Sequence, residues 1–359
     1  MDEPLVSVLL CVYNGERYLA QALDSVRNQT LRDFECIVVD DGSTDSTPEI
    51  LDRYARKDSR IRVVRNEKNL RLPASLNRAL AQAAGHYLIR MDGDDRCRPD
   101  RFARQVEFMR ANPQVDAACC GYIGWDGTAL YPGLDSRRHD PESVRALFLF
   151  FNPMVHPGMI FRRETLKGMG YDPACTCTED LDLWVRLLCA GRRLAVQEEY
   201  LLLYRRHPGQ ITVNSDQAQR EQCRDILCRF YGHALFRPTE EEADFLVRGI
   251  YFRDEPDAEK LNRLLRRIWE ENRKKNGFAP ESVRYAALEM LLEYRRAGVP
   301  LGKLAPMALR LGPGFLVGEL LRRRRAGRED RRRREAAEKI FASPEGQHKF
   351  EGEKVTDEN

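Results

Sequence analysis

The chain has 359 residues, 42% apolar and 32% charged, with 59 lysines and arginines against 56 aspartates and glutamates and a formal net charge of +3. That length and apolar share allow one large core plus an accessory region, and the near balance excludes a globally basic, nucleic-acid-like protein. The balance hides one asymmetry. Residues 322–334, RRRRAGREDRRRR, hold nine arginines and two acids, a local +7 that leaves −4 for the remainder.

The first residues, MDEPLVSVLLCVYNGERY, lack a basic leader, and their apolar run stops at Tyr13 and Asn14, so no signal peptide is expected. No stretch reaches the ~20 apolar residues that span a bilayer. Residues 5–12, LVSVLLCV, form a continuous apolar run rich in β-branched side chains, the pattern of a strand covered on both faces. A helix over 16–29 follows, with Leu19, Ala22, Leu23 and Val26 on one face. Then come strand 35–40, helix 46–57, strand 61–65, helix 73–85 and strand 86–91. Pro73 suits a first helical turn, and Gly85 a C-terminal cap. This alternation predicts βαβ units, hence an α/β fold with a mainly parallel sheet flanked by helices.

Further along, Leu181, Trp184, Val185 and Leu188 make the apolar face of a helix with Thr178 as its N-cap. Segments 216–231, 239–252, 257–275 and 280–297 read as helices, and Leu261, Leu264, Leu265, Ile268 and Trp269 form a core stripe. The chain therefore divides into an α/β domain over 1–215, a helical region over 216–340 and a polar tail over 341–359 expected to be disordered. Ten cysteines without a leader fit reduced thiols in a cytosol. Cys175-Thr-Cys177 is a lone C-x-C, better explained by scattered, half-buried thiols than by zinc.

In open α/β sheets, ligands bind outside the carboxyl ends of the strands. Tyr13 and Asn14 follow the first strand, Asp40 and Asp41 the second, and Asp92, Asp94 and Asp95 the fourth. Three strands thus deliver polar side chains to one rim. Crowded carboxylates repel unless a divalent cation neutralises them, and Mg²⁺ and Mn²⁺ take oxygen ligands. Asp92-Gly93-Asp94 has the form D-x-D, with a glycine that permits close backbone approach; a solvated turn explains the same residues equally well. Glu179 and Asp180 fall in a first helical turn, where acids complement the helix dipole or supply a general base. His156 lies in a Pro/Gly loop and His207 at the end of an apolar strand. Such positions are usually exposed, although His207 could also ligate the same cation.

Taken in order, VSVLLCVYNGERYLAQALDSVRNQT (6–30), VVDDGSTDST (38–47), LPASLNRAL (72–80), GHYLIRMDGDD (85–95), RPDRF (98–102), TEDLDLWVRL (178–187) and YRRHPGQIT (204–212) resemble the inverting family 2 glycosyltransferases of GT-A fold. The resemblance covers roughly residues 5–215 and implies a GT-A catalytic domain there. It places Cys11, Tyr13, Asp41, Arg71 and Asp92 at the nucleotide-sugar donor. Tyr13 would stack on the base, and Asp41 would accept from a base N–H, uracil being the usual case. Arg71 would contact the base or diphosphate, and Asp92 the ribose or diphosphate. It implies Mn²⁺ or Mg²⁺ held by Asp94 and His207, Asp180 as catalytic base, and the loop HPGMIF (156–161) beside donor and acceptor. One departure stands out: Leu70 and Arg71 occupy positions near which many relatives have a glycine.

The implied activity is metal-dependent, inverting transfer of a sugar from a nucleotide-sugar, a UDP-sugar in the usual case, to a hydroxyl of a glycan or lipid-linked acceptor. The implied setting is cell-surface polysaccharide synthesis, in the cytoplasm or on the inner face of the cell membrane. Three rivals fit less well. An inactive nucleotide-sugar-binding scaffold would most cheaply have lost the metal or base position. A Rossmann oxidoreductase needs G-x-G-x-x-G where this chain has Tyr13-Asn14-Gly15-Glu16-Arg17. A sugar-phosphate nucleotidyltransferase needs a Gly-rich basic loop after the first strand. The apolar segment 304–321 ahead of the arginines fits either docking on anionic lipid, over 304–334, or a core helix followed by a solvated charged one. No aromatic residue interleaves those arginines, which argues against single-stranded nucleic acid.

Overall fold

The computed structural model describes residues 3–126, 128–132, 140–207, 210 and 217–342. Strands β1 (Val6–Val12), β2 (Phe34–Asp40), β3 (Ile61–Arg65) and β4 (Tyr87–Asp92) alternate with helices α1 (Leu19–Arg27), α2 (Thr47–Lys57) and α3 (Leu72–Gln82), as the sequence predicts. Next come β5 (Arg96–Cys97), α4 (Arg101–Ala111), β6 (Ala117–Trp125), β7 (Leu130–Pro132) and α5 (Pro141–Leu147). β8 (Met159–Arg162), the single turn α6 (Arg163–Leu166), α7 (Glu179–Cys189) and β9 (Leu194–Arg205) complete the α/β part.

The strands lie in the order β3-β2-β1-β4-β8-β6-β9-β5, with β7 paired to β6. The first four are parallel, and the sheet is mixed beyond them. β8 runs antiparallel to β4 and β6, β9 runs parallel to β6, and β5 pairs antiparallel with the end of β9. Register aligns Val12 with Asp40 and Cys11 with Asp92, so the polar ends of β1, β2 and β4 lie level.

β1 is buried along its whole length, and its alternation divides the core. Val6, Val8, Leu10 and Val12 join α1, α2 and α4 on one face. Leu9 and Cys11 join α3, α5 and α7 on the other. This is the doubly covered strand that its uniform apolar run requires. Leu181, Trp184, Val185 and Leu188 are all buried on the face of α7 that the sequence assigns to the core.

The C-terminal helices are α8 (Gln217–Ala234), α9 (Glu240–Phe245) continued by a π-helical turn over Leu246–Tyr251, α10 (Ala258–Lys275), α11 (Pro280–Arg296), α12 (Leu301–Arg310) and α13 (Pro313–Ala342). Leu261, Leu264, Leu265 and Ile268 are buried, and Trp269 packs at the margin. These helices share one continuous apolar cluster with Leu9, Ile37 and Trp184 of the α/β part. The far end of α13 returns to the sheet, where Ala337 and Phe341 bury against Ile123, Tyr200 and Leu203. Of the polar tail, 343–359 lies outside the described residues, while Phe341 and Ala342 end α13. All ten cysteines are unpaired, seven of them buried.

Gly85 is not a helix cap. α3 ends at Gln82 with Ala83 as C-cap, and Gly85 instead lies against the backbone entering β1, its N–H bonded to Ser7 Oγ at 2.7 Å. A Cβ there would meet Ser7 N at 2.4 Å and Val6 C at 2.6 Å, which backbone cannot relieve. Gly85→Ala should therefore destabilise the protein by about 2–3 kcal/mol, as overpacking of a rigid site does, read as a lowered midpoint in chemical denaturation. An unchanged midpoint would show that β1 and β4 can separate there at no cost.

Candidate active site

The loop after β1 is sewn to the loop after β2. Ser43 Oγ accepts from Asn14 N at 2.9 Å, Thr47 Oγ1 from Gly15 N at 2.8 Å, and Asp45 from Glu16 N at 3.1 Å. Asn14 Oδ1 accepts from Thr44 N at 2.8 Å in return. The hydroxyls and carboxylate of DGSTDST thus satisfy backbone donors that the turn leaves open. This holds Tyr13 exposed at the rim. Gly42 sits at φ +74°, and a Cβ on it would strike the Lys68 backbone, so the chain from Asn66 to Arg71 closes over this turn. Buried Asp41 fixes that segment: its Oδ1 accepts from Asn66 Nδ2 at 2.6 Å and from Leu70 N at 2.8 Å.

The next residue, Arg71, adopts φ 73° and ψ 159°. That region is essentially reserved for glycine and costs on the order of 1–3 kcal/mol for other residues. Arg71 keeps this strained backbone at the exposed N-cap of α3, beside the rim.

Past β4, the carboxylates of Asp92, Asp94 and Asp95 each offer an oxygen within 4.8 Å of the others. Asp95 Oδ1 accepts from Arg205 N at 2.8 Å, while buried Oδ2 has no hydrogen-bond partner among the described residues. Burial, reinforced by the charges of Asp94 and Asp92, pushes the Asp95 carboxyl well above the usual range. β5 explains how distant groups arrive here. It follows the acidic turn and pairs Arg96 with Leu203 and Cys97 with Leu202, drawing the end of β9 onto the turn. Arg205 Nε then donates to Asp94 O at 2.8 Å, its guanidinium lies 4.3 Å from the Tyr18 and Trp125 ring centres, and His207 Nε2 meets Asp94 Oδ2 at 3.0 Å. Both oxygen-rich donors and an unbonded buried carboxylate oxygen fit a hard divalent cation.

The opposite wall comes from α7 and the segment before β8. Beneath it lies buried Arg90, paired to Asp92. Burial lowers the Arg90 pKa, but the Asp92 charge and hydrogen bond outweigh it and hold it above the ordinary value. Asp92, Glu179 and Asp180 all feel the charge of Arg90. Burial raises Asp92, with Arg90 opposing; burial and then Glu179 raise Asp180; burial pushes Glu179 up to about 7. Asp180 Oδ1 accepts from Leu181 N at 2.7 Å, and Oδ2 from Asn152 Nδ2 at 3.3 Å.

His156 is buried, not exposed at a strand terminus. Its Nε2 lies 2.9 Å from Tyr171 Oη and its Nδ1 lies 3.6 Å from Glu179 Oε1. Burial, then Arg90, lower it to about 3, so the ring is neutral. Thr178 occupies the N-cap position of α7 but makes no side-chain cap bond; its hydroxyl donates to Gln222 of α8 at 3.0 Å.

The structure therefore sets Tyr13, Asp41 and Asp92 at level strand ends, with Arg71 next to the Leu70 that Asp41 holds and His207 against Asp94, while Asp180 lies on the opposite wall, near Arg90 and His156. Cys11 sits below it, level with Asp92 in the sheet, its thiol buried and pushed up by burial. Pro208, Gly209, Ile211 and Thr212 of the YRRHPGQIT motif lie outside the described residues. Sequence reading left Arg90, Asn152, Tyr171 and Arg205 without a role. The only hint was a charged residue, Arg90, inside an otherwise apolar strand. A second close group, Asp172, Cys175 and Asp182, is already neutralised, since buried Asp182 pairs with Arg186 at 2.7 Å and Arg229 at 2.8 Å.

The glycosyl transferase family 2 model matches residues 7–170. An uncharacterised glycosyltransferase of Methanocaldococcus jannaschii is 34% identical over 209 residues, covering 57% of this chain and 72% of that protein. A Bacillus subtilis (strain 168) protein provisionally named as the teichuronic acid biosynthesis glycosyltransferase TuaG is 34% identical over 227 residues, covering 61% of this chain and 86% of its own length. In fold, the chain is similar to residues 1–349 of S. aureus TarS in complex with UDP-GlcNAc, with a TM-score of 0.55, 20% identity, and coverage of 87% of this chain and 92% of that one.

Two tests follow from this geometry. An acid raised by burial favours the folded state below its ordinary pKa of 4.5 and loses that contribution as pH climbs to about 7. The melting temperature should fall over that window in the wild type and fall less in Glu179→Gln; parallel profiles would show that Glu179 titrates normally. Arg71→Gly should relieve the backbone and, after the entropic cost of glycine of roughly 0.5–1 kcal/mol, still stabilise by about 1 kcal/mol. Arg71→Ala should bring no gain. Equal denaturation midpoints for Gly and Ala would mean that Arg71 carries no strain.

Proposed function

The chain belongs to glycosyltransferase family 2 and has the GT-A fold, and we propose that it transfers a sugar with inversion from a nucleoside-diphosphate sugar to a hydroxyl of a glycan or lipid-linked acceptor. The name of TuaG supports cell-surface polysaccharide synthesis as the setting. The UDP-GlcNAc bound by TarS makes UDP-sugars the first donors to try. One observation carries the mechanism. Asp92 at the end of β4 and the carboxylate of Asp180 share Arg90 and His156 as electrostatic neighbours.

In this mechanism Tyr13 stacks on the base at the rim, while Asp41 both holds the 66–71 segment and accepts from the base. Arg71 and Asp92 flank the ribose and diphosphate, and Cys11 forms part of the floor. Asp94 and His207, with Asp92 and Asp95 adjacent, would hold Mn²⁺ or Mg²⁺. When bound, such a cation supplies Lewis-acid stabilisation of the charge gathering on the leaving diphosphate.

Asp180 takes the proton from the acceptor hydroxyl as its oxygen bonds to the anomeric carbon. The bond from that carbon to the diphosphate oxygen breaks, and its electron pair leaves with the nucleotide. A single displacement inverts the centre, so an α-linked donor gives a β-linked product. Burial and Glu179 raise the Asp180 carboxyl, which brings its basicity closer to working pH. The Leu181 N–H and Asn152 Nδ2 hold both oxygens in place. Glu179, raised to about 7, carries only part of a negative charge beside it at neutral pH.

Asp180→Asn keeps the size and most hydrogen bonding but cannot accept the proton. Release of UDP, with an accepted acceptor present, should fall by about 10²–10⁴-fold while nucleotide binding survives. Glu179→Gln should cost far less. Near-native turnover in Asp180→Asn alongside a dead Glu179→Gln would mean that the other carboxylate is the base. The same assay in EDTA reports on the acidic turn, since undiminished turnover there removes the cation from the mechanism.

A further inference from the structure

The arginine cluster is divided by its three-dimensional setting. Four of the nine serve the protein itself. Arg322 pairs with Glu319 at 2.9 Å, Arg323 with Glu289 of α11 at 2.6 Å, Arg333 with Glu198 of β9 at 2.5 Å, and Arg334 with Glu338 at 3.3 Å. Arg324, Arg325, Arg328, Arg331 and Arg332 are exposed, and among the described residues no acid pairs with them.

The apolar residues ahead of them are divided in the same way. Leu304, Met307 and Leu311 are buried, but Leu301, Leu309, Val317, Leu320 and Leu321 stand 54–66% exposed. α12 and α13 meet at 107°, with Gly312 at φ +98° in the joint, and the two helices that meet there carry all five apolar side chains, Leu301 and Leu309 on α12 and Val317, Leu320 and Leu321 on α13. Among the described residues no single helix is long and apolar enough to cross a membrane.

Along α13 the two exposed sets fall in register. Val317, Leu320, Leu321, Arg324, Arg325, Arg328, Arg331 and Arg332 recur at spacings of three and four, which places them on one helical stripe. At 1.5 Å per residue that stripe runs ~22 Å. Its first part has nothing to gain from water, and its second makes no ion pair among the described residues.

We propose that this stripe, with the α12–α13 corner, docks on an anionic lipid surface. The leucines and Val317 enter the boundary between headgroups and acyl chains, and the five outward guanidiniums pair with lipid phosphates. Charge complementarity selects this occupant. Five exposed cations call for a dense anionic surface, and the adjoining exposed apolar side chains call for one with an apolar layer directly beneath. A nucleic acid supplies the charge but leaves the leucines in water. The ion pairs of Arg323 and Arg333 anchor α13 at both ends of the stripe, so the surface is preformed.

The test uses the full chain and flotation on vesicles of phosphatidylcholine and phosphatidylglycerol in equal parts, compared with phosphatidylcholine alone. The wild type should float with the anionic vesicles at low salt, progressively less as salt rises, and not with the neutral ones. The triple change Arg324→Gln, Arg325→Gln and Arg328→Gln should weaken partitioning by about a hundredfold. Val317→Ser, Leu320→Ser and Leu321→Ser together should weaken it by about tenfold or more. All six side chains are solvent-exposed, and unchanged thermal melts confirm that the variants fold. As a control, Arg266→Gln with Arg273→Gln on exposed parts of α10 should leave binding intact. The proposal fails if the wild type stays unbound at low salt, if neutral and anionic vesicles bind alike, or if the control pair loses as much as the α13 variants. It also fails if duplex DNA is bound in place of vesicles.

Discussion

Crowded negative charge is the constraint around which this molecule is arranged. Asp92, Asp94 and Asp95 lie together, Glu179 and Asp180 feel the same charges, and among the described residues few cations face them. Arg90 is buried beneath them, paired to Asp92, and Arg205 reaches the acidic turn from β9 through its backbone and side chain. The deficit shows in the raised carboxyls of Asp92, Asp95, Glu179 and Asp180. A site left short of positive charge favours whatever brings it, which is the physical case for a divalent cation. It equally keeps Asp180 basic.

Much of what looks like a binding motif in the chain turns out to build the wall of the site. Ser43, Thr44, Asp45 and Thr47 bond the backbone and side chains of residues 14–16, and Asp41 bonds Asn66 and Leu70. Fixing two loops to each other lowers the ordering cost of binding the proposed nucleotide between them. Arg71 runs the other way, holding a glycine-type conformation without being glycine. Local conflict of this kind collects at functional sites, where the surrounding fold offsets it.

The C-terminal helices are no loose appendage. Their buried residues continue the apolar cluster that lies under β1, β2 and α7, Thr178 at the start of α7 bonds α8, and Phe341 closes over β6 and β9. A disturbance in α8 therefore reaches the helix that carries Asp180. The same packing sorts the arginines of α13 into those that neutralise buried or half-buried acids and those left facing outward.

The sequence by itself determined the elements and their order, because strand and helix leave periodicities of two and 3.6 that survive without tertiary context. The first four strands, the helices between them and helices α8 to α11 were legible to within a few residues, whereas α12 and α13 were not delimited. So was the rim of Tyr13, Asp41, Asp92 and Asp94, since parallel strands place their carboxyl ends together. What the sequence could not reveal is how separated segments meet. The family resemblance set His207 beside Asp94, but the pairing of β5 with β9 that joins them across 113 positions has no local mark, since no pattern signals a two-residue strand. Burial likewise turned His156 from an exposed loop residue into a neutral partner of Tyr171 and Glu179, and Gly85 from a cap into a contact with β1. Periodicity is a property of neighbours along the chain, while charge pairing, burial and pKa belong to neighbours in space, and only the tertiary structure decides those.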